Sequence, residues 1–443
     1  MVRVFSVFVL LAALFGSTFG LAQSQSSEPS DVHLGVATCA GTPCHGAAST
    51  TKKNSSVLQN EYLVWQKSDK HAKAFTALES ELGKRIAANL GLGPADKATV
   101  CLACHTDNVP PERRGVKFAL EDGVGCEACH GASEAWLGPH IAGHSSHAEL
   151  VKEDGLFPTE DPMARAQLCL GCHLGDSTRV ITHKMMGAGH PRLAFELQTF
   201  SQIEPAHFVV DDIYRRRKTA AAGVTFWAVG QAVALERLVS GLADETRRGQ
   251  GVFPELVFFD CQACHHPMSN LRWHKRDGTG LGPGVPRFND ANAIMLSAIA
   301  GRVAPDLGHA LDADVRALHQ ALSAGQGDPA EIARRLAGGA HRLAEILARH
   351  DFSKSDLREM AGALAAAGRR GDLSSYAAAE QATMAFAAII DTLKTDGALD
   401  AAPYGALKSA LARCYAATQH EEAFDPAAFD AAAQSILQAF PTW

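Results

Sequence analysis

The 443-residue chain has no long block of basic residues. Its 41 lysines and arginines are outweighed by 48 aspartates and glutamates, for a net charge of −7. A mildly acidic chain of that kind argues against nucleic acid as a partner. Beyond the N-terminus, no stretch reaches the roughly 18 continuous apolar residues that a membrane-spanning helix needs, which excludes a multi-span membrane protein. Apolar residues at 47% and charged residues at 20% exclude a disordered or collagenous chain. Tyrosine is scarce, with 5 residues, whereas histidine numbers 20 and cysteine 11. That imbalance points toward metal or redox chemistry, in a chain long enough for two or more cores.

The N-terminus reads as an export signal. Arg3 is a short positive start, Val4 to Phe15 is an apolar run, and Gly20-Leu21-Ala22 fits a small-x-small cleavage site. The expectation is a signal peptide over 1–22 and a mature protein in the periplasm, exported and soluble, that needs no membrane afterwards. An uncleaved N-terminal anchor is the other reading.

Exported chains rich in cysteine are ordinarily disulfide scaffolds, but the spacing here is different. C-x-x-C-H occurs four times: Cys101/Cys104/His105, Cys126/Cys129/His130, Cys169/Cys172/His173 and Cys261/Cys264/His265. Chance supplies on the order of 0.01 such matches, so four are decisive. Each pair of thiols attaches a c-type haem through thioethers, and the adjacent histidine becomes the proximal iron ligand. Cys39-Ala-Gly-Thr-Pro-Cys44-His45 keeps the terminal Cys-His with two extra loop residues. It reads as a fifth site, a disulfide beside an unrelated histidine being the alternative. Five pairs use ten cysteines and leave Cys414, which falls on one helix face with Tyr404, Leu407, Leu411 and Tyr415 and reads as core.

All five proximal histidines lie between residues 39 and 265. The expected fold is mainly α: a haem-packed multihaem cytochrome c domain with few strands (23–285), followed by an all-α helical bundle (286–443). Within the first, a long helix is expected from about Asp211 to Leu242. Asn270 to Asp290, rich in Gly and Pro, reads as the boundary loop. In the second, Asp328-Pro329-Ala330-Glu331 signals an N-cap, a first-turn proline and a capping-box Glu, and Asp425-Pro426 repeats the start. Five to seven helices are expected there.

The irons need sixth ligands. Ten further histidines precede residue 290, enough for every iron to be bis-His. That arrangement keeps iron low-spin and closed to substrate, as electron transfer requires. Met185 and Met186 are alternative axial ligands that would raise the potential. The basic run Arg215-Arg216-Arg217-Lys218 either neutralises haem propionates or is a solvated helix start.

Several segments carry a family resemblance. Trp65-Gln-Lys-Ser68-Asp-Lys-His71-Ala72-Lys-Ala74 resembles the distal-histidine segment of multihaem cytochromes of the cytochrome c554 type. Val124-Gly125-Cys126-Glu127-Ala-Cys129-His130-Gly131 is similar to their G-V-x-C-E-x-C-H-G motif, usually followed by a ligand histidine, here His140. His183 to Leu193 and Phe259 to His266 resemble further segments of the wider group. The resemblance spans about residues 31–290 and implies the haem-region fold and shuttling of electrons beside an oxidoreductase. Cytochrome c554 itself has four haems and lacks the C-terminal extension. On the combined reading the distal ligands are His71, His140, His183, His190 and His207, with His33, His144 and His147 in reserve. The pairing of each with a haem is not legible.

Two functional classes follow. The favoured one is a carrier with five covalent haems c, passing electrons between redox partners such as a quinol oxidoreductase, other cytochromes or a periplasmic oxidoreductase. The alternative is a multihaem oxidoreductase acting on a small nitrogen or sulfur oxyanion at one open iron. The chain has no C-x-x-C-K site, which marks the catalytic haem of one nitrite-reductase family.

Overall fold

Side-chain caps set the starts of four of the C-terminal helices in the computed structural model, which describes residues 31–49, 57–249, 254–266, 276, 279, 281–282 and 285–441. The expected signal peptide lies outside these residues. Asp328 accepts a hydrogen bond from Ala330 N ahead of the Pro329–Leu347 helix, and Asp425 accepts one from Ala427 N ahead of Pro426–Ala439. These satisfy backbone donors that a helix N-terminus leaves free. Glu331 does not complete a capping box; it lies 3.5 Å from Arg335 instead. Seven helices form this region, the others being Ala291–Val303, Pro305–Ala324, Lys354–Arg369, Tyr376–Thr395 and Ala401–Ala417. Their buried faces repeat at helical spacing, as in Ile332, Leu336, Leu343 and Leu347. Cys414 is fully buried on such a face, and burial pushes its thiol up to about 12. Tyr415, expected beside it, is exposed.

The region before residue 160 is built differently. Its helices are short, and among the described residues its contiguous apolar cluster is Phe75, Leu78, Ala87, Ala95 and Leu102, with Cys101 and Leu120 against them. The protein is mainly α throughout: among the described residues the only β pairings are two isolated bridges, His33 with Arg114 and Phe259 with Phe288.

The expected long helix is two helices. Asp212–Arg217 ends at Lys218, whose backbone is extended, and Gly223–Ala243 starts after the extended Ala222. At that second start Val224 N donates to Thr392 Oγ1 (3.0 Å), so a C-terminal residue supplies the acceptor. The Gly223–Ala243 helix is buried nearly all round and shares one continuous core with Leu170, Leu197, Met295, Leu336, Leu343 and Ile389. Hydrophobic packing therefore runs across residue 286. The stretch expected as a boundary loop is also anchored: Arg276 is buried, donates to both carboxylate oxygens of Asp290 (3.1 and 2.7 Å), and Asp290 in turn meets His319 Nε2 at 3.0 Å.

Candidate haem-binding sites

Cysteines at i and i+3 and a histidine at i+4 fall on one face when the motif is helical. Three motifs take that form. They occupy the Thr99–His105 helix, the Cys126–His130 helix and the last turn of Pro162–His173. Cys261–Ala263 is a 3₁₀ turn leading into Cys264 and His265. The longer Cys39–His45 loop closes on itself: Cys44 N donates to Gly41 O (2.8 Å) and His45 N to Cys39 O (3.2 Å). None of the eleven cysteines is in a disulfide.

The motif histidines face other histidines. His45 and His140 are stacked with ring centroids 6.1 Å apart. His173 meets His71 at 5.9 Å, His130 meets His207 at 6.4 Å, and His265 meets His183 at 6.0 Å. The fifth, His105, is pushed below the ordinary imidazole value first by burial, and the charge of His190 acts in the same direction. Thus each of the five expected distal histidines lies near a different motif histidine. A metal bound by two trans imidazoles, about 2 Å from each nitrogen with each ring centre about 1 Å further out, sets the centroids about 6 Å apart. The observed spacings fit an iron between the rings.

The other ring nitrogens are held by the protein. Nδ1 of His45 lies 3.0 Å from Glu61 Oε2, and Nδ1 of His71 lies 3.0 Å from Asp69 Oδ1. Nδ1 of His105 donates to Ala74 O and that of His190 to Pro191 O, both at 2.8 Å. Such bonds fix the ring and leave Nε2 for a metal. Burial brings His130 and His173 down to about 4, so both are neutral and ligand-competent at pH 7. Asp69, His71 and Glu204 also bring donor atoms within 4.8 Å of one another, but Asp69 engages His71 through Nδ1, on the side away from Nε2. Of the reserve histidines, His33 is committed to Asp107 (2.7 Å), His147 uses Nε2 on Glu160 (2.6 Å), and His144 is exposed. Each motif histidine has a histidine near it, so the geometry does not call on Met185 or Met186.

The attachment thiols interleave out of chain order. Cys39 neighbours Cys126, Cys104 neighbours Cys172, and the Cys129 thiol is pushed up by burial, with the charge of Cys169 acting in the same direction. Arg179 Nη1 donates to Cys172 Sγ at 3.3 Å. Glu127, within the C-E-A-C-H motif, is buried and accepts from Leu34 N (2.8 Å), Gly35 N (2.6 Å) and Ser133 N (2.8 Å). It thereby ties the segment ahead of Cys39 to the third motif. Trp65 Nε1 donates to Val124 O (3.0 Å), joining the distal-histidine segment to the same place. Gly131, after His130, has φ +79°, and a Cβ there would lie 2.9 Å from Gly155 O, so glycine is required. In the basic run Arg215, Arg216 and Arg217 are exposed; only Lys218 turns inward, its ammonium 5.5 Å from the Tyr214 ring centroid.

Residues 38–131, which hold three of the five Cys-Cys-His motifs, match the family model described as cytochrome c554 and c-prime. Over this segment the chain resembles the cytochrome c554 family. A 138-residue stretch is 30% identical to cytochrome c-554 of Nitrosomonas europaea. That alignment covers 28% of this chain and 56% of the relative, so the chain spans about half the length of the curated protein it matches. No solved structure matches the chain. The cytochrome c554 resemblance accounts for the motifs with Trp65, His71 and Glu127, whereas the Cys169 and Cys261 pairs and all the C-terminal helices lie beyond the matched family segment.

Proposed function

We propose that this chain is an exported multihaem c-type cytochrome that carries five covalent haems and passes electrons between redox partner proteins in the periplasm. The observation that carries the reading is the set of facing histidines: four ring pairs at 5.9–6.4 Å, with His190 beside His105 as the fifth. Cys39/Cys44, Cys101/Cys104, Cys126/Cys129, Cys169/Cys172 and Cys261/Cys264 would hold the five macrocycles. His45, His105, His130, His173 and His265 would be the proximal ligands, and His140, His190, His207, His71 and His183 their respective partners. Each haem, when bound, supplies a one-electron ferric–ferrous couple. The residues' own work is to close both faces of every iron, to fix each ring through its second nitrogen, and to hold neighbouring attachment sites together. The thiol neighbours order these sites as Cys39–Cys126, Cys129–Cys169 and Cys172–Cys104, which supports a continuous conduit through four of them.

Attachment sites are confined to residues 23–285 and the region 286–443 has none, although the two share a core. Among the described residues no helix is long and apolar enough to cross a membrane, which is compatible with a protein that leaves the membrane after signal cleavage. The partner classes that suit such a conduit are a quinol oxidoreductase, another cytochrome or a periplasmic oxidoreductase. An oxidoreductase acting on a nitrogen or sulfur oxyanion would need one histidine of the ten to be displaced.

The experiment is paired. The intact mass of the protein from the periplasm should show five haem additions after loss of about 22 residues. The electron paramagnetic resonance spectrum of the oxidised protein should contain low-spin signals alone. Four additions with free thiols at Cys39 and Cys44 would remove that site. A high-spin signal in fresh protein would favour the oxidoreductase.

A further inference from the structure

A cleft with about 830 Å³ of open space lies beside Cys261, between the fifth attachment turn and the C-terminal helices. Apolar walls come from Met186, Leu238 and Phe258, and three arginines line the same space: Arg192, Arg237 and Arg247. Nε of Arg237 and Nε of Arg247 are buried with no hydrogen-bond partner among the described residues. Arg237 spends its other nitrogens on Gly175 O and Gln167 O. Arg247 has no ion pair with any described carboxylate. Arg237 also has Asp176 at 3.9 Å, so the unmet demand is confined to the two Nε–H groups, each of which favours an acceptor placed in the cleft.

The C-terminal helices shape the same place. Arg192 is held by Glu380 (3.2 Å) and Glu421 (3.5 Å), with its guanidinium 5.5 Å from the Tyr376 ring centroid. Gln262, inside the Cys261–His265 motif, accepts from Tyr376 N (3.0 Å) and donates to Glu421 O (3.1 Å).

We infer that this cleft receives the carboxylate edge of the fifth haem, with Arg247 and Arg237 holding its propionates and the C-terminal helices forming the opposite wall. The inference rests on the proposed fifth attachment at Cys261 and Cys264. On this reading the C-terminal region completes one haem site and fixes that haem's electrostatic surroundings. Arg247 is a positioning residue that also stabilises the ferrous state, because reduction removes one positive charge beside a fixed cation.

The test uses full-length holoprotein carrying Arg247→Gln, with Arg247→Lys as the charge-retaining control. Five haem additions should remain by mass, since attachment depends on the cysteines. In a potentiometric titration followed by haem absorbance, one fifth of the amplitude should move to lower potential in Arg247→Gln. The expected change is about tenfold in the ferric-to-ferrous ratio, or ~59 mV for a one-electron couple, and Arg247→Lys should recover most of it. If Arg247→Gln does not fold, Glu380→Gln probes the same wall, and the same fifth should move to higher potential. Superimposable titrations with five haems present would overturn the inference while leaving the five-haem reading intact. Wild-type protein with four haems and free thiols at Cys261 and Cys264 would remove that reading instead. A spectral change on adding nitrite or sulfite that Arg247→Gln abolishes would assign the arginines to an exogenous oxyanion and also overturn the inference.

Discussion

Ending the chain after residue 288 removes all seven C-terminal helices and tests how the two regions depend on each other. Motif placement alone leads to the expectation that such a chain keeps all five haems with an unchanged low-spin spectrum. The packing leads elsewhere. Val224, Trp227, Val229, Val233, Leu235, Val239 and Leu242 are all fully buried, in a core shared with Met295, Leu336, Leu343 and Ile389. Full burial of a Val- or Leu-sized side chain contributes about 1.5–3 kcal/mol, so the seven together represent roughly 10–20 kcal/mol. Part of that surface stays covered by Leu170 and Leu197, and extended-chain references overstate burial, so about half is a fair loss. A loss of roughly 5–10 kcal/mol matches the whole stability of an ordinary domain, about 5–15 kcal/mol.

The truncated chain should therefore still show five haem additions by mass, because each attachment motif is local. Its Gly223–Ala243 helix should not hold. Trypsin should cut at Arg237, Arg247 or Arg248 in minutes under conditions that leave the full chain intact. With Gln262 no longer held by Tyr376 N and Glu421 O, the turn that carries His265 should loosen, and a high-spin fraction of up to one haem in five should appear. A truncated protein that is soluble, monomeric, trypsin-resistant between residues 218 and 248 and wholly low-spin would refute this reasoning. Residue 286 would then be a true domain boundary.

Two further outcomes follow from single side chains. His71→Ala should leave five covalent haems and convert one to a high-spin or water-ligated form, whereas His147→Ala, whose Nε2 is committed to Glu160, should leave every signal low-spin; an unchanged spectrum in the first variant would strike His71 from the ligands. Arg276→Met should cost about 3–5 kcal/mol in urea unfolding, because it leaves the buried Asp290 carboxylate without its cation. Burial opposes the Asp290 charge, but Arg276 and His319 overcome it and hold the carboxyl far below the usual range. The stabilisation is therefore complete above the unfolded-state pKa near ~3.9 and is lost as pH falls below it. Wild-type unfolding midpoints should be flat with respect to this group above about pH 5 and should fall in acid. A variant that loses less than about 1 kcal/mol would show that water compensates the carboxylate.

The Cys-Cys-His motifs and the histidines that the fold brings opposite them were legible in the sequence as candidates, because both are local signals. C-x-x-C-H is read within five residues, and His71, His183 and His190 sit in recognisable segments. What pairs with what was not legible, because the partners are brought together only by the fold. The two-helix nature of 212–243 was missed for a similar reason. Ala220, Ala221 and Ala222 are strong helix formers, and Gly223 is only a weak local mark of an interruption. The break is imposed from outside, where Thr392 caps Val224 N. Arg215–Arg217 attracted attention as a dense run but lie exposed, while Arg192, Arg237 and Arg247, scattered in sequence, converge on one cleft. Asp69 and Glu127 each had a visible signal, sitting inside the segments that supplied His71 and the third motif.

The contrast between the two cores explains why such different sequences share one chain. Before residue 160 the contiguous apolar core amounts to five residues, far too little to offset the conformational entropy of about 130 residues at roughly 1–2 kcal/mol each. In the proposed ligation scheme each iron joins two histidines about 80 to 100 residues apart in the chain. A cross-link closing a loop of that size constrains the unfolded chain by about 4–5 kcal/mol in the entropy model used for disulfides. Five such links, plus macrocycle surface that short helices can cover, supply what side-chain packing does not. The C-terminal helices have no such links and rely on Leu, Ile, Phe and Ala at helical spacing. The Gly223–Ala243 helix lies between the two schemes: its apolar surface is buried in the C-terminal core, while its Arg237 lines the cleft beside Cys261. It is therefore the element through which a change in bundle packing would reach a haem, and the three sites built before residue 160 would be affected less.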